Sequence, residues 1–243
     1  MTEMIRKIPE KRWIRIIPPT ILVYIFGFMD RTNIGFGIAG GMNEALQMTA
    51  TLSGLAAGIF FIGYMVLQVP GGALAQAGHA KKFIAVSILA WSLMCVLLGF
   101  VDTATHLLIL RFLIGVAEGG VWPAILVVIS HWFPADERGR ANSYFIMNIA
   151  IASIITGPIS GYLVTEYGWR SVFIVEGLIS FLLIFVWWPM ISEHPAEAKW
   201  ISKEEREYLE TKLSAEQNEL NEEVGGSVSL GTIFGSLNMW KLI

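Results

Sequence analysis

Apolar residues dominate six stretches of the chain, each long enough to cross a lipid bilayer. A bilayer core of about 30 Å requires about 20 mostly apolar residues per helix. The apolar residues do not show the strict alternation that a transmembrane barrel strand requires. The pattern therefore predicts an all-α membrane protein with six transmembrane helices, at about residues 17–41, 50–75, 83–101, 107–131, 141–165 and 171–191.

The pattern changes abruptly after Pro189, where charged residues replace apolar ones. In this stretch, Ser202 and Glu205 have the spacing of a capping box, which predicts an amphipathic linker helix running to about Gln217. A Gly/Ser-rich hinge follows. The predicted organisation is a basic cytoplasmic N-terminus, a transmembrane bundle, a cytoplasmic central loop and the start of a truncated seventh transmembrane helix, at residues 1–16, 17–192, 193–231 and 232–243.

Composition supports a membrane protein over a soluble one. Hydrophobic residues make up 54% of the 243 residues and charged residues only 15%, and the mean hydropathy is +0.59. Lysine and arginine cluster before the first predicted helix, after the sixth, and in alternate loops. By the positive-inside rule both ends of the chain are cytoplasmic, and the protein is a multi-pass protein of the cell membrane.

Small residues recur at four-residue spacing in several predicted helices, including Gly54 with Gly58 and Gly115 with Gly119. Such rows allow helix backbones to approach closely in lipid. We interpret them as packing features.

Two charged residues lie in the middle of the first apolar stretch, in the sequence YIFGFMDRTNIGFG. Asp30 and Arg31 are adjacent, so their side chains point about 100° apart on a helix, and at least one needs a partner elsewhere. The fourth stretch carries Arg111 and Glu118, which are two helical turns apart and share a face.

Buried charges of this kind have two interpretations. They form a static network that holds helix one against helix four, or they face an aqueous cavity on an ion or substrate path, as ionisable groups in spanning helices usually do. We favour the second. A buried arginine keeps its charge and matches a carboxylate in shape, while a nearby acid can take up and release a proton. The predicted partners are therefore a small organic anion and a proton, besides the lipid bilayer.

The residues also carry a resemblance to a known family. The stretches DRTNIGFG, YMVLQVPGGALAQAGHAKK, RFLIGVAEGGVWPAILVVISHWFPADERGRA and GWRSVFIVEGL resemble the N-terminal half of a major facilitator superfamily transporter. The resemblance is greatest to the anion:cation symporter family, which includes permeases for sugar acids and aromatic acids. It covers nearly the whole chain, and the helix-four stretch is the most specific of these motifs.

The resemblance implies a role for each charged residue. Arg31 is expected to bind the substrate carboxylate, Asp30 and Glu118 to carry protons, and Arg111 to pair with Glu118 and release it when it is protonated.

Two further residues match positions that face the substrate cavity in sugar-acid permeases. These are Tyr64 on helix two and Asn148 on helix five. The alternatives from the residues alone are a packing aromatic for Tyr64 and an interhelical hydrogen bond for Asn148.

One motif departs from the family pattern. The loop after helix two keeps Gly72 and the basic pair Lys81 and Lys82, but Gln76 stands where the family has an acidic residue. This predicts a gating loop whose charge latch is weak or replaced by hydrogen bonds of Gln76.

The sequence therefore predicts a proton-coupled symporter of a small organic carboxylate that works by alternating access. The missing C-terminal half is expected in the complete transporter. The alternative is a non-transporting six-helix fragment, or a half-subunit that functions only with a partner half. We found no catalytic motif, no spacing of metal ligands, no requirement for a cofactor and no sign of nucleic-acid binding.

Overall fold

A computed structural model describes residues 10–224, and nearly all of this part is helical. The long helices are α1 (Lys11–Gly37), α2 (Ala50–Leu74), α3 (Ala80–Leu98), α4 (Ala104–Trp132), α5 (Ala135–Tyr167), α6 (Trp169–Met190) and α7 (Lys203–Val224). Three of them consist of two segments: α4 of Ala104–Gly119 and Val121–Trp132, α5 of Ala135–Ile146 and Asn148–Tyr167, and α6 of Trp169–Leu182 and Ile184–Met190. The predicted start of a seventh transmembrane helix, residues 232–243, lies outside the described residues.

Five continuous helical stretches in the described part are long and apolar enough to cross a membrane. One of them, Ala50–Leu98, has 49 residues, which is about twice the length that one crossing needs. It contains two helices, α2 and α3, because Gly78 interrupts it with a φ of +82°. Glycine tolerates this left-handed conformation without steric cost. The prediction of six transmembrane helices is thereby confirmed.

Side-chain caps fix the starts of three helices. Thr49 accepts a hydrogen bond from the backbone N–H of Leu52, and Thr103 accepts one from His106 in the same way. The predicted cap of the linker helix is also present, since the Ser202 hydroxyl accepts from the N–H of Glu205.

The helices α2 and α4 run parallel and touch backbone to backbone. A Cβ atom at Gly115 would overlap the carbonyl oxygen of Phe60, and one at Gly119 would overlap that of Tyr64. The glycine row on α4 therefore packs as predicted, whereas Gly54 and Gly58 have no neighbour within 4 Å. This close approach aligns Arg111 and Glu118 on α4 with the α2 residues Phe60 and Tyr64.

The bundle has two ends, which we name by their contacts. At the linker end, α7 packs against the start of α1 and the start of α5 through Arg12, Glu137 and Glu205. At the opposite end, Arg170 at the start of α6 bonds the carbonyl oxygen of Val101 after α3. Helices α1, α3 and α5 run from the linker end to the opposite end, and α2, α4 and α6 run back.

The interior mixes apolar and polar side chains. Large fully buried residues such as Trp91, Phe60 and Phe173 surround a set of buried polar and charged groups. Apolar side chains are exposed on the outside of the bundle, notably Phe61 and Met65 on α2. An apolar exterior around a polar interior is the distribution that a protein surrounded by lipid requires.

Candidate functional site

The central feature of the interior is an ion pair between helices α1 and α4. The Nε atom of Arg31 lies 3.0 Å from Oε2 of Glu118, and only 2% of the Glu118 side chain is exposed. Gly27 lies one turn before Arg31, and the position of a Cβ there is 3.6 Å from the same Glu118 oxygen. The small residue gives the glutamate room beside α1. The second oxygen, Oε1, has no hydrogen-bond partner among the described residues.

Aromatic rings surround the Arg31 guanidinium. Its central carbon lies 4.8 Å from the ring centres of both Tyr24 and Tyr64. Its Nη1 atom donates to the Tyr24 hydroxyl at 2.9 Å, and the two tyrosine hydroxyls are 3.3 Å apart. Tyr64 thus lies beside Arg31, whereas sequence reasoning missed Tyr24. The signal for Tyr24 was its position seven residues, or about two turns, before Arg31 on the same helix face.

The structure contradicts the expected pairing of Arg111 with Glu118. The guanidinium of Arg111 instead donates to the backbone carbonyl oxygens of Asp30, at 2.8 Å, and of Ala56, at 3.3 Å. The reason is geometric. Two turns of α4 separate Arg111 from Glu118 by about 10 Å along the helix axis, and Arg111 meets the backbones of α1 and α2 at its own level.

Asp30 is almost fully buried, with 1% of its surface exposed. Its Oδ1 atom accepts from the Cys95 thiol at 3.0 Å and from the Asn33 amide at 3.3 Å. Its Oδ2 atom has no partner among the described residues. The Asp30 side chain therefore faces α3, away from the Arg31 side chain, as their 100° separation predicts.

A third buried carboxylate, Glu176 on α6, belongs to the same interior, which sequence reasoning did not predict. It is fully buried and accepts a hydrogen bond from Ser160 of α5 at 2.6 Å. The signal in the sequence was a lone acid within an apolar stretch.

Asn148 is fully buried at the start of the second segment of α5. Its amide donates to the carbonyl oxygen of Phe145, within the same helix, so the alternative of an interhelical hydrogen bond has no support among the described contacts. Its own side-chain oxygen has no partner there. Phe145 packs against the Tyr24 ring at 5.5 Å, so Asn148 lies one residue layer away from the Arg31 cluster.

The residues predicted as a gating loop lie together at the linker end. Gly72 faces Pro123 of α4, and Gln76 is exposed. Lys82 is also exposed, and the Lys81 ammonium lies 4.7 Å from the ring centre of Trp188.

An acidic residue after α6 caps the helix that follows this loop. The carboxylate of Glu193 accepts from the backbone N–H groups of Ala80 and Lys81, at 2.8 and 2.9 Å. Negative charge is favourable at a helix N-terminus, so this contact ties the segment after α6 to the start of α3.

A cavity of about 640 Å³ opens at the linker end. Its lining includes Gln76, Arg138, Glu216 and the rings of His131 and His194, whose centres are 4.4 Å apart. It lies between the bundle and α7, apart from the Arg31 cluster.

The linker helix is attached to the bundle by a buried cluster of charges. Arg12 bonds Glu205 of α7 at 2.9 Å and Glu137 of α5 at 2.7 Å. The hydroxyl of Tyr208 on α7 also donates to Glu137. Burial and the negative charge of Glu137 raise the pKa of this hydroxyl. The hydroxyl therefore stays protonated and donates at neutral pH.

The interior as a whole combines an arginine paired with a glutamate and two further buried carboxylates, Asp30 and Glu176. Within residues 10–224, no group of three or more histidine, cysteine, aspartate or glutamate side chains could hold a metal ion.

Known proteins with similar sequences are membrane transporters. A protein of Agrobacterium vitis named "Putative tartrate transporter" is 36% identical over 217 residues, which cover 87% of this chain and 48% of that protein. An Escherichia coli protein named "Probable galactarate/D-glucarate transporter GudP" is 33% identical over 201 residues, covering 80% of this chain and 44% of that protein. The chain spans about half the length of the curated relatives it matches.

Solved structures show the same fold. A bacterial homologue of the human lysosomal transporter Spinster, in an inward-facing conformation, superposes with a TM-score of 0.70 at 20% identity, covering 78% of this chain and 45% of that one. The xylose transporter XylE of E. coli also gives 0.70, at 15% identity, covering 89% of this chain and 58% of that one.

The six-helix architecture predicted from the sequence agrees with these structures, each of which is matched over about half its length. The family model described as Major Facilitator Superfamily matches residues 20–243. This multi-pass membrane protein therefore belongs to the Major Facilitator Superfamily.

Proposed function

We propose that this chain is the N-terminal half of a proton-coupled symporter that carries a small organic carboxylate by alternating access. The observation that carries this proposal is the buried ion pair between Arg31 and Glu118. Arg31 matches a substrate carboxylate, and its present partner is an acid whose charge a proton removes.

The ion pair supplies a mechanism for coupling. A proton that binds Glu118 from the outside removes the negative charge that holds Arg31. Arg31 then accepts the carboxylate of the substrate, while the hydroxyl of Tyr24 keeps the guanidinium in place. After release of substrate and proton on the inside, Glu118 returns to Arg31. In this scheme Glu118 returns to Arg31 rather than to Arg111, as the contacts require.

The substrate class follows from the site and from the relatives. Arg31 favours an anion, and the hydroxyls of Tyr24 and Tyr64 beside it suit a substrate that itself carries hydroxyl groups. Tartrate, galactarate and glucarate, which the names of the relatives mention, are hydroxylated dicarboxylates. Asn148 contributes a buried side-chain oxygen near this cluster.

Protons are favoured over sodium as the coupling ion. Sodium sites are built from several oxygen ligands at one point, including backbone carbonyls. Here the carbonyl oxygens of Asp30 and Ala56 already accept hydrogen bonds from Arg111.

The distribution of charge supports a location and an orientation for the bundle. By the positive-inside rule, the basic residues support a cytoplasmic linker end and cytoplasmic chain ends in a bundle that spans the cell membrane. The gating residues Gly72, Gln76, Lys81 and Lys82 then lie at the inner gate. Glu193, capping α3, supplies an acidic contact at this gate, where the family's own acidic residue is replaced by Gln76.

A half-subunit that functions only with a partner is the second candidate. It is favoured by the exposed apolar faces of α2 and α5, which include Phe61, Met65 and Ile154. A second bundle would cover such faces and complete the site. The oligomeric state and transport activity of the purified 243-residue chain would separate the two candidates.

Uptake into proteoliposomes tests the proposed function. The full product of the open reading frame that contains this chain is reconstituted, and uptake of labelled tartrate, galactarate and glucarate is measured with an inward proton gradient. We expect the wild type to accumulate at least one of these acids and Glu118→Gln to accumulate it less while still exchanging it. Accumulation by Glu118→Gln equal to that of the wild type would contradict the coupling role of Glu118.

A further inference from the structure

The Arg31–Glu118 pair is not the only carboxylate site in the interior. Asp30 and Glu176 are both almost fully buried, at 1% and 0% exposure. Within residues 10–224, no lysine or arginine side chain lies within ion-pairing distance of either carboxylate. Arg111 comes nearest to Asp30, but it bonds the backbone carbonyl and leaves the carboxylate to other donors. A buried carboxylate without a cation in contact is costly to keep charged.

Neutral donors surround Asp30, and one of them also contacts α6. Asn33 donates to Asp30 at 3.3 Å, and the Cys95 thiol donates to it at 3.0 Å. The same thiol lies 3.4 Å from the carbonyl oxygen of Phe173, three residues before Glu176 on α6. Helices α1, α3 and α6 therefore pack against one another beside the two acids.

Each acid keeps one oxygen without a hydrogen-bond partner in the described part of the chain, Oδ2 of Asp30 and Oε2 of Glu176. The other Glu176 oxygen accepts from Ser160 at 2.6 Å. This is the hydrogen bonding of an acid that can hold a proton on its free oxygen, because the hydroxyl of Ser160 donates to the same oxygen in either protonation state.

We propose that Glu176 is a proton-binding residue of this bundle, separate from the Arg31–Glu118 pair. The proton enters from the opposite end of the bundle and leaves at the linker end with the substrate, so that Glu176 holds one of the coupled protons. The inference rests on the proposed function for this transport step, but proton binding by Glu176 is testable without it.

Three neighbouring helices supply the titratable and polar groups near Glu176. Helix α1 supplies Asp30, α3 supplies the Cys95 thiol, and α5 supplies the Ser160 hydroxyl. On α6 itself, Arg170 lies nearly two turns away and pairs with Asp102 at the opposite end. The hydrogen bond that Glu176 accepts in the described part of the chain therefore comes from a neutral donor, Ser160.

Steady-state accumulation measures the number of coupled protons. The full product of the open reading frame is reconstituted in liposomes with the membrane potential held at zero, and labelled tartrate is the probe. Each coupled proton multiplies the accumulation by about ten for one pH unit of gradient, because one unit is about 1.36 kcal/mol. We expect Glu176→Gln to lower accumulation about tenfold while tartrate exchange without a gradient continues.

The matched control is Glu166→Gln, which removes an exposed glutamate of α5 and is expected to accumulate tartrate like the wild type. A Glu176→Gln protein with the wild-type accumulation would overturn the proposal. If the wild type itself fails to accumulate any of the three acids with a proton gradient, the proposed function has failed instead.

A second measurement does not depend on transport or on the folding of the glutamine variant. Infrared difference spectra between acidic and alkaline pH record carboxylic-acid bands of the wild type and of Glu176→Asp, which keeps the acid. A shift of one pH-dependent band in Glu176→Asp is expected. Identical acid bands in the two proteins would show that Glu176 does not titrate and would overturn the proposal.

Discussion

The competition for Arg31 makes a quantitative prediction about substrate affinity. In the structure Glu118 occupies the guanidinium through a bond of 3.0 Å that is largely shielded from water, with 17% of the arginine side chain and 2% of the glutamate side chain exposed. A substrate carboxylate must displace it. Glu118→Gln keeps the shape of the side chain and a neutral acceptor but removes the charge.

The size of the effect follows from the difference between the two hydrogen bonds. A bond to a charged group contributes about 1.5–3 kcal/mol and a neutral one about 0.5–1.5 kcal/mol. The glutamine side chain therefore holds Arg31 less strongly than the glutamate does, by about 1–1.5 kcal/mol. This energy corresponds to a change of about five- to twelvefold in the dissociation constant of the substrate. We expect Glu118→Gln to bind the substrate more tightly than the wild type by this factor at a pH where Glu118 is charged.

The pH dependence gives the sign of the effect. In the wild type, lowering the pH protonates Glu118 and frees Arg31, so affinity rises as pH falls. In Glu118→Gln the part of this pH dependence that is due to Glu118 is lost. Isothermal titration calorimetry with the transported acid, on the detergent-purified product of the full open reading frame, measures both.

Arg31→Lys is the companion variant for this measurement. It keeps the positive charge but loses the planar fork, so the substrate affinity is expected to fall. Two results would refute the reasoning: equal affinity of Glu118→Gln and the wild type at high pH, or unchanged affinity of Arg31→Lys.

Two further predictions concern the packing that holds the site, and both use thermal unfolding of purified protein in detergent. Arg12→Ala leaves the fully buried Glu205 without its cation and is expected to cost about 3–5 kcal/mol of unfolding free energy, whereas Lys212→Ala, which breaks an exposed pair, should cost at most about 1 kcal/mol. Equal shifts would contradict a role for the buried cluster. Gly115→Ala places a Cβ against a backbone carbonyl of α2 and is expected to cost about 1–3 kcal/mol, while Gly54→Ala, with no neighbour within 4 Å, should be neutral or stabilising. A stable Gly115→Ala protein would show that α2 and α4 can separate without cost.

The helices could be predicted from the sequence because the bilayer imposes one dominant requirement. Every transmembrane helix needs a long apolar stretch, and each of the six predicted stretches forms one such helix. The cap at Ser202 was also predictable, since it depends on residues three positions apart. The row of Gly115 and Gly119 indicated a close approach, but the sequence does not say which helix approaches.

The pairing of charges between helices could not be predicted, because it depends on the relative height of α1, α2 and α4. Their backbone contacts set that height to within one turn. The spacing of Arg111 and Glu118 gave a shared face, and a shared face allows a pair but does not require one. Glu176 was missed for a related reason, since its hydrogen-bond donor Ser160 comes from another helix.

The observed pairing has a consequence for how the site can open. Helices α1 and α4 are joined by one arginine from each. Arg31 of α1 donates to the carboxylate of Glu118, and Arg111 of α4 donates to the backbone carbonyl of Asp30. Only the first of these bonds has an acceptor that a proton can neutralise. In the proposed mechanism, protonation of Glu118 frees Arg31 for a substrate while Arg111 still holds the two helices together. A static network would need no such difference between its two bonds, and this asymmetry is the strongest argument that the buried charges serve transport.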